Sequence, residues 1–551
     1  MHSPTRLLLL LALLTPLLLP RGPARGDDAA PEREYRTHAE VVARLAALRE
    51  AAWGRGLFAE VETYGTSAGG RSLLALRIGR AKSVVLVHGG LGGRDAAATS
   101  ACLALAEQLA AGGPAVERLS WLLLPAPNPD ALDAFLAGQP PAGGGRFDRD
   151  RDGRRGEDGP QDVDGDGEIL TMRRIDARGT WAAGEATKDG EGRATDDLRL
   201  LEERGVDVRR EASYIVLPEG LDDDGDGDVA EDRPALDLTR QLAGFRDDKG
   251  PWTGDGPFPG YAPEARALME LSYAETGLVA WYGYTGTGAY ALRANEQGKV
   301  ADADNALYAR IGSALKARTG LELKKASRAP GHRANPGSDL DWASVHLGVP
   351  AFRIPVWWIE REAGNGRKRE VADALDWLLW NDRVLGGAGF APWKAFEHPT
   401  LGPVEIGGWR RFTRWEPPAD RLASAVARVA DGPLAQIDFV PRLGADVRVE
   451  ARGTGRWLVA VRATNPGGLA TDTATARERR LDAGVRLRFE AAPGVEVLAG
   501  PAVANAGRLE AGGVAAAPAS WLVQRSDAGA LGTLRVEHPK ADPKSVKVVT
   551  P

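Results

Sequence analysis

The 551-residue sequence is poor in the two side chains that most often cross-link or ligate, with one cysteine and seven histidines. A single cysteine excludes an internal disulfide, and the helical Ala/Leu pattern around Cys102 predicts a small buried residue. No histidine lies between His88 and His332. The sequence also has no large excess of charge of either sign, because 70 Lys and Arg nearly balance 76 Asp and Glu, which leaves a net charge of -6. We therefore expect no nucleic-acid partner.

Long hydrophobic runs are absent except near the N-terminus, where Leu7 to Leu19 is mostly apolar. The run follows Arg6, is too short to span a bilayer, and leads into small and polar residues. We predict a signal peptide over residues 1–26, with an uncleaved anchor as the alternative. The mature chain is then expected in the periplasm or outside the cell, without a transmembrane segment.

Strand-like and helical segments alternate over some 350 residues, which favours an α/β sheet covered by helices on both faces. Ser83–His88 is apolar and β-branched, as in a buried parallel strand. Between about 141 and 235 the chain is instead rich in Gly, Asp and Arg, which is typical of long loops. Beyond 386, short alternating runs such as Ala435–Phe439 predict strands of a small β-sandwich. We predict domains at 35–385 and 386–551.

Three acidic loops share the pattern D-x-D-x-D-G. Alternate carboxylates of this kind converge on a hard cation, and the glycine allows the sharp turn between them. We predict calcium sites that clamp these loops, with solvated acidic loops as the alternative. The predicted ligands are Asp148, Asp150 and Asp152; Asp162, Asp164 and Asp166; and Asp222, Asp224 and Asp226.

Six short motifs follow one another in order between about residues 35 and 385: Gly65–Arg71, Asn128-Pro129-Asp130, Asp237–Gln241, Tyr261–Glu264, Gly337–Trp342 and Val349–Phe352. In this order they resemble motifs of the carboxypeptidase A-like zinc carboxypeptidases, and the acidic loops resemble insertions in bacterial members. The resemblance implies a three-layer α/β/α domain with a mixed sheet. The segment at 398–408 is similar to a linker that precedes a C-terminal β domain there.

The resemblance also implies a zinc site, and here the sequence departs from the family. Zinc held by His, Glu and His would activate a water, and a glutamate would accept its proton. The first histidine falls on Gly92, the glutamate on Asp95, and the catalytic base on Pro355. The third ligand falls between Trp281 and Thr285, with Tyr282 as the favoured position. We therefore expect zinc to be absent. His88, four residues before the first position, is interpreted as structural, with a relocated site at His88 and Asp95 as the alternative.

The segment Asp237–Gln241 resembles the family motif whose arginine grips a substrate's terminal carboxylate. Arg240 is the predicted substrate-binding residue, and Thr239 replaces an asparagine of the motif. A guanidinium suits this role because it bonds a carboxylate through two parallel N–H groups. The alternative is a salt bridge from Arg240 to Asp232 or Asp237.

Three functions remain open at this stage. The first is a zinc-less pseudo-peptidase that binds peptide or cell-wall ligands without cleaving them, because Gly92, Tyr282 and Pro355 together remove the catalytic metal and base. The second is an active metallocarboxypeptidase with an unusual zinc site. The third is a calcium-dependent structural or surface-binding module.

Overall fold

A computed structural model describes residues 35–140, 159–183, 197–199, 201–203, 214–230, 236–242, 256–294, 300–326, 338–359, 372 and 374–551. The predicted calcium ligands Asp148, Asp150 and Asp152 lie outside these residues, as does the predicted signal peptide. Within the described residues no helix is long and apolar enough to cross a membrane.

The elements are numbered in chain order. The helices are α1 His38–Trp53, α2 Ala96–Ala110, α3 Pro114–Arg118, α4 Pro129–Ala137, α5 Pro263–Ala274, α6 Asn305–Thr319, α7 Asp339–His346, α8 Ala374–Val384, α9 Ala419–Val429 and α10 Ala474–Glu478. The strands up to the end of the first large sheet are β1 Ala59–Thr66, β2 Ser72–Ile78, β3 Val84–His88, β4 Ser120–Leu124, β5 Thr171–Ile175, β6 Trp181–Ala183, β7 Leu201–Glu203, β8 Tyr214–Pro218, β9 Leu278–Thr287, β10 Ala291–Arg293, β11 Leu323–Lys325 and β12 Ala351–Trp357. The later strands are β13 Phe390–His398, β14 Gly402–Trp409, β15 Gly444–Ala451, β16 Arg456–Asn465, β17 Val485–Ala491, β18 Glu496–Ala499, β19 Ala504–Gly507, β20 Gly513–Val514, β21 Ala519–Gln524, β22 Ala530–His538 and β23 Ala541–Val549.

The first sheet has eight strands in the order β1-β2-β4-β3-β9-β12-β10-β11. Its four central strands, β4, β3, β9 and β12, run parallel, and antiparallel pairs flank them. All five residues of β3 are buried, as expected for a parallel strand covered on both faces. The predicted mixed sheet is confirmed.

Adjacent residues of β9 show how both faces are covered. Trp281 packs edge-on against Trp342 of α7, at 5.4 Å between ring centroids. Tyr282 stacks on Phe352 at 4.8 Å, and Phe352 in turn contacts Tyr308 of α6. Because successive side chains of a strand point to opposite faces, α6 and α7 lie on opposite sides of the sheet. The predicted three-layer α/β/α arrangement is confirmed.

A second sheet joins the glycine-rich region to a later part of the chain, in the order β13-β14-β5-β8-β6-β7. Strand β14 pairs with β5 through Ile406 and Met172, both 1% exposed. Helix α9 and the 3-10 helix Gly432–Asp438 pack into the same core as the first sheet, with Leu422 and Val426 fully buried. The domain boundary at 386 stays a prediction, but these contacts place residues 422–440 with the core of the first sheet. Ala435–Phe439, predicted as a strand, lies mostly in this 3-10 helix, so that prediction is wrong.

The C-terminal residues form two antiparallel sheets that share one hydrophobic core. One sheet has the order β15-β16-β21-β18, with β20 pairing to β16, and the other has the order β19-β17-β22-β23. Val459 and Trp521 of the first sheet and Leu487 and Leu534 of the second are each at most 2% exposed. The predicted small β-sandwich is confirmed. It is fastened to the first domain by Ser83 Oγ, which donates to the Lys540 carbonyl at 2.6 Å.

Candidate functional site

The loop between β3 and α2 carries two of the predicted positions, and Asp95 holds it closed. Asp95 precedes the first turn of α2, but its carboxylate points back into the loop and across to β9. Oδ2 accepts from the Gly92 N–H at 3.0 Å, and Oδ1 accepts from the Gly286 N–H at 2.8 Å. Burial raises the pKa of Asp95, while these two backbone bonds act in the opposite direction. Both oxygens of this carboxylate are therefore engaged by the protein itself.

Gly92 lies in this loop with its backbone against Asp95. A Cβ atom added at Gly92 would lie 2.8 Å from Asp95 Oδ2, closer than real Cβ contacts come. A larger residue at this position therefore requires the Asp95 carboxylate to move. Glycine is compatible with the closed loop and offers no side-chain ligand.

Tyr282 is fully buried and faces the side of the sheet that α6 covers. Its hydroxyl lies 3.1 Å from Gln436 Oε1, and burial raises its pKa above the ordinary tyrosine value. The β9 residues that reach Asp95 are instead Thr285, with Oγ1 at 3.4 Å from Oδ1, and Gly286. The structure therefore does not bring Tyr282 together with Asp95.

Pro355 lies on β12 directly beside Thr285 of β9. It is buried and has no atom that can accept a proton from water. A Cβ atom added at Gly288 would lie 3.0 Å from the Pro355 ring, so apolar contact surrounds this position. Pro355 is thus close to the Asp95 loop and chemically inert there.

Glu416 is the group at this site that the sequence analysis missed. It is fully buried, and its Oε2 accepts from the Ala97 N–H of α2 at 2.7 Å. Among the described residues, its Oε1 makes no hydrogen bond. The point where a Cβ of Gly286 would lie is 2.9 Å from this oxygen and 3.0 Å from Asp95 Oδ1. Burial first, and then the charge of Asp95, raise the pKa of Glu416 well above its ordinary value.

His88 is tied into a buried cluster just before the loop. Its Nε2 lies 3.2 Å from Asp339 Oδ2, and Trp281 Nε1 donates to the same oxygen at 3.2 Å. Arg353 pairs with the other oxygen of Asp339. Burial acts to raise the pKa of Asp339, but Arg353 and His88 outweigh it and hold the pKa well below the ordinary value. The Nε2 atom of His88 is therefore used within the protein, in agreement with a structural role.

Arg240 and Thr239 lie in the 3-10 helix Leu238–Arg240, near the Asp95 loop. The charge of Asp237 acts on Asp95 and raises its pKa, which places the two carboxylates within electrostatic reach. Thr239 Oγ1 donates to Asp237 Oδ1 at 2.6 Å, so this hydroxyl is already engaged. Arg240 is half-buried, and its backbone N–H donates to the Asp237 carbonyl at 2.9 Å.

The two described acidic loops lie at the same end of the β5–β8 hairpin, one before β5 and one after β8. Asp222, Asp224 and Asp226 bring carboxylate oxygens within 4.8 Å of one another, as the sequence pattern predicts. In the other loop Asp162 and Asp164 are joined by Glu219, which the sequence analysis did not identify. Among the described residues, neither carboxylate group includes Asp95 or His88.

Glu219 accepts hydrogen bonds from the backbone of the acidic loop that precedes β5. It is fully buried and accepts from the Val163 and Leu170 N–H groups, each at 2.7 Å. Asp166, the predicted third member, accepts instead from the Glu168 N–H at 2.9 Å. Burial raises the pKa of Glu219, while the bond from Leu170 acts in the opposite direction. No local motif marks Glu219, because it lies 56 residues from Val163 along the chain.

Comparisons with known proteins match two separate parts of the chain. A family model described as zinc carboxypeptidase matches residues 46–361, more than half of the sequence. A second model, described as Domain of unknown function (DUF8731), matches residues 445–549, within the β-sandwich. A search of curated protein sequences gave no match.

Solved structures with similar folds include three carboxypeptidase-related proteins. Bovine thrombin-activatable fibrinolysis inhibitor, in complex with tick carboxypeptidase inhibitor, is 10% identical and aligns over 74% of this chain and 97% of its own, with a TM-score of 0.40. Carboxypeptidase A from Helicoverpa armigera is 13% identical over 73% of each chain, with a TM-score of 0.40. Metallo-carboxypeptidase from Burkholderia cenocepacia is 12% identical over 73% of this chain and 70% of its own, with a TM-score of 0.36.

Proposed function

Because this chain belongs to the zinc carboxypeptidase family, we propose that it is an exported member that binds peptide C-termini or cell-wall peptides without cleaving them. The observation that carries the proposal is the state of Asp95. It is the only carboxylate among the four positions inferred for zinc and base, and backbone N–H groups of Gly92 and Gly286 engage both of its oxygens. Gly92 and Pro355 offer no ligand or base, and the Tyr282 hydroxyl lies in the core.

Zinc does not fit the residues at these positions. A catalytic zinc site needs three protein ligands and an open fourth position for water. Here one aspartate is present, and the nearby His88 uses its Nε2 on Asp339. The second acid, Glu416, is fully buried, and its Oε2 already accepts from the Ala97 N–H, so Asp95 and Glu416 together still fall short of three ligands. The residues that remain for function are those that bind, with Arg240 as the group for a ligand carboxylate.

Metal analysis separates this proposal from an active enzyme with an unusual zinc site. The purified mature chain is exposed to zinc, desalted exhaustively and analysed for metal content. We expect no stoichiometric zinc and no release of C-terminal residues from peptides above the buffer rate. One tightly held zinc per chain together with C-terminal cleavage would establish the active enzyme instead.

Peptide binding tests the role of Arg240. We expect a peptide with a free C-terminus to bind more tightly than the same peptide with a C-terminal amide. Arg240→Gln should weaken binding of the free form by about tenfold, the loss expected when a charge-assisted hydrogen bond is removed. Arg266→Gln serves as the control, because Arg266 of α5 donates to the Gly260 carbonyl just before that helix. Equal binding of both peptides to every variant would contradict the assignment.

We also propose that the two described acidic loops bind calcium and clamp the β5–β8 hairpin. The convergence of three carboxylates in each loop supports this, since calcium prefers oxygen ligands in glycine-turned loops. Calcium is expected to raise the melting temperature, and a chelator to lower it. Asp164→Asn should reduce this shift more than Asp166→Asn, because Asp166 lies outside its group. If calcium leaves the melting temperature of the wild type unchanged, the proposed stabilisation of these loops by calcium is refuted.

The location outside the cytoplasm rests on the N-terminal pattern at residues 1–26. Export would supply both the millimolar calcium that such loops need and access to cell-wall peptides. N-terminal sequencing of the protein secreted from its host should begin near residue 27. An intact N-terminus on a membrane-bound product would favour the uncleaved anchor.

A further inference from the structure

A pocket of about 360 Å³ opens beside the Asp95 loop, on the side of the second sheet. One wall is the β5–β8 hairpin, represented by Leu170 and Leu217, and another is Phe135 of α4. The third wall is the strap, which we define as residues 409–415 and which begins at the last residue of β14. The strap lies beyond the part of the chain that matches the zinc carboxypeptidase model. Arg240 does not line this pocket.

The lining combines apolar and aromatic surface with positive charge. Its described residues include two arginines, Arg94 and Arg411, and no aspartate or glutamate. This is unusual in a chain whose net charge is -6. Small-molecule sites have this character, with mostly apolar walls and a few polar groups that orient the ligand. The charge favours an anionic ligand.

Arg411 is the residue that presents a donor group at the wall. Its Nη1 donates to the Phe135 carbonyl at 2.7 Å, which fixes the guanidinium in place. Arg411 lines the pocket, and its guanidinium carries further N–H groups besides the one that Phe135 engages. A carboxylate approaching this edge would accept from a charged donor.

Two tryptophans of the strap give the pocket its shape. Trp415 is 39% exposed, which is high for a large aromatic residue, and Trp409 is held edge-on against Phe390 at 5.2 Å between ring centroids. Flat indole surfaces of this kind bind flat apolar groups through dispersion and stacking. The lining therefore pairs a guanidinium with an aromatic wall.

We propose that this pocket binds a small organic anion with a flat apolar body, in the manner of an aromatic carboxylate. The anion bonds Arg411, and the apolar body lies against Trp415 and the hairpin residues. Arg240 does not line the pocket, so binding here does not depend on the residue proposed for peptide carboxylates. No bond is made or broken in the complex.

Two probes that differ only in charge test the proposal on the full mature chain. Binding of 3-phenylpropanoate and of its neutral amide, 3-phenylpropanamide, is followed by ligand-observed NMR and calorimetry. The carboxylate should bind saturably, and the amide about tenfold more weakly, because the amide cannot make a charge-assisted bond. Equal binding of the two probes, or no saturable binding of the carboxylate at millimolar concentration, would overturn the proposal.

Matched variants locate the site. Arg411→Gln and Trp415→Ala should each weaken carboxylate binding by about tenfold. Arg410→Gln is the control, because Arg410 pairs with Glu168 and does not line the pocket. Trp415→Ala removes an exposed ring, so it keeps the test informative where Arg411→Gln impairs folding. Arg240→Gln should leave probe binding unchanged, which separates failure here from failure of the proposed peptide binding. Carboxylate binding that survives both pocket substitutions would refute the location.

Discussion

Replacing Glu416 by glutamine should stabilise the protein at neutral pH, which is the reverse of the usual result for a buried polar substitution. The raised pKa means that folded Glu416 keeps a proton that the unfolded chain releases. Stability therefore falls as pH rises from the ordinary glutamate pKa toward the raised folded value. Each pH unit in that window costs about 1.4 kcal/mol of stability. Glutamine avoids this loss because it is neutral at every pH.

The local geometry is also suited to an amide. Glutamine can still accept from the Ala97 N–H, which Glu416 Oε2 does at 2.7 Å. Its NH2 group would replace Oε1 and face Asp95 Oδ1 and the Trp415 carbonyl, both acceptors near Gly286. The substitution thus replaces the Glu416 Oε1 acceptor by an N–H donor close to two acceptors.

The assay is urea unfolding of the wild type and Glu416→Gln between pH 5 and pH 8. The stability difference should be small at the acidic end and should grow in favour of the variant as pH rises. Glu450→Gln is the control, because Glu450 is an exposed partner of Arg452 and should show a small and constant difference. A variant less stable than the wild type by the same amount at every pH would show that Glu416 is ionised in the folded protein.

Two further predictions concern the positions inferred for zinc ligands and the domain boundary near residue 386. Zinc binding should be gained by Gly92→His combined with Thr285→His but not by Gly92→His combined with Tyr282→His, since Thr285 reaches Asp95 and Tyr282 lies in the core. Zinc content after desalting measures this, and equal zinc in both double variants would contradict the placement of Thr285. A chain that ends at residue 386 should have a lower melting temperature than a chain that ends at residue 442, because α9 belongs to the core of the first sheet. Equal melting temperatures of the two chains would contradict that assignment.

Local pattern was enough to predict the layers of the fold. The β-branched run of β3 is buried on both faces, and the turn at Gly65–Arg71 joins two antiparallel strands as its glycines suggest. These features depend on neighbours along the chain, which a single sequence displays. The same information failed at Ala435–Phe439, where alternating polarity suggested a strand. There Gln436 is buried because it bonds Tyr282, a contact that no local pattern reveals.

The candidate site was predictable only where it lies in one loop. Gly92 and Asp95 are three residues apart, and the sequence identified both. Glu416 and Ala97 are separated by 319 positions, and Glu219 and Val163 by 56. Both glutamates act as buried acceptors for backbone N–H groups of a distant segment. Such partners have no spacing rule, so only the folded arrangement identifies them.

Residues 413–436, which follow the first sheet along the chain, contact both the Asp95 loop region and the core around Tyr282. Trp357 Nε1 donates to the Thr413 carbonyl at 2.8 Å, and Tyr284 donates to the Ala430 carbonyl at 2.5 Å. Together with Glu416 and Gln436, these contacts bind residues 413–436 to the helix and strands that surround the Asp95 loop. A histidine at Tyr282 would lose the Gln436 bond and the stacking on Phe352, so the core now favours the residue that is present. Packing contacts therefore hold Tyr282 in the core, and a histidine there would disturb the core without bringing a ligand to Asp95.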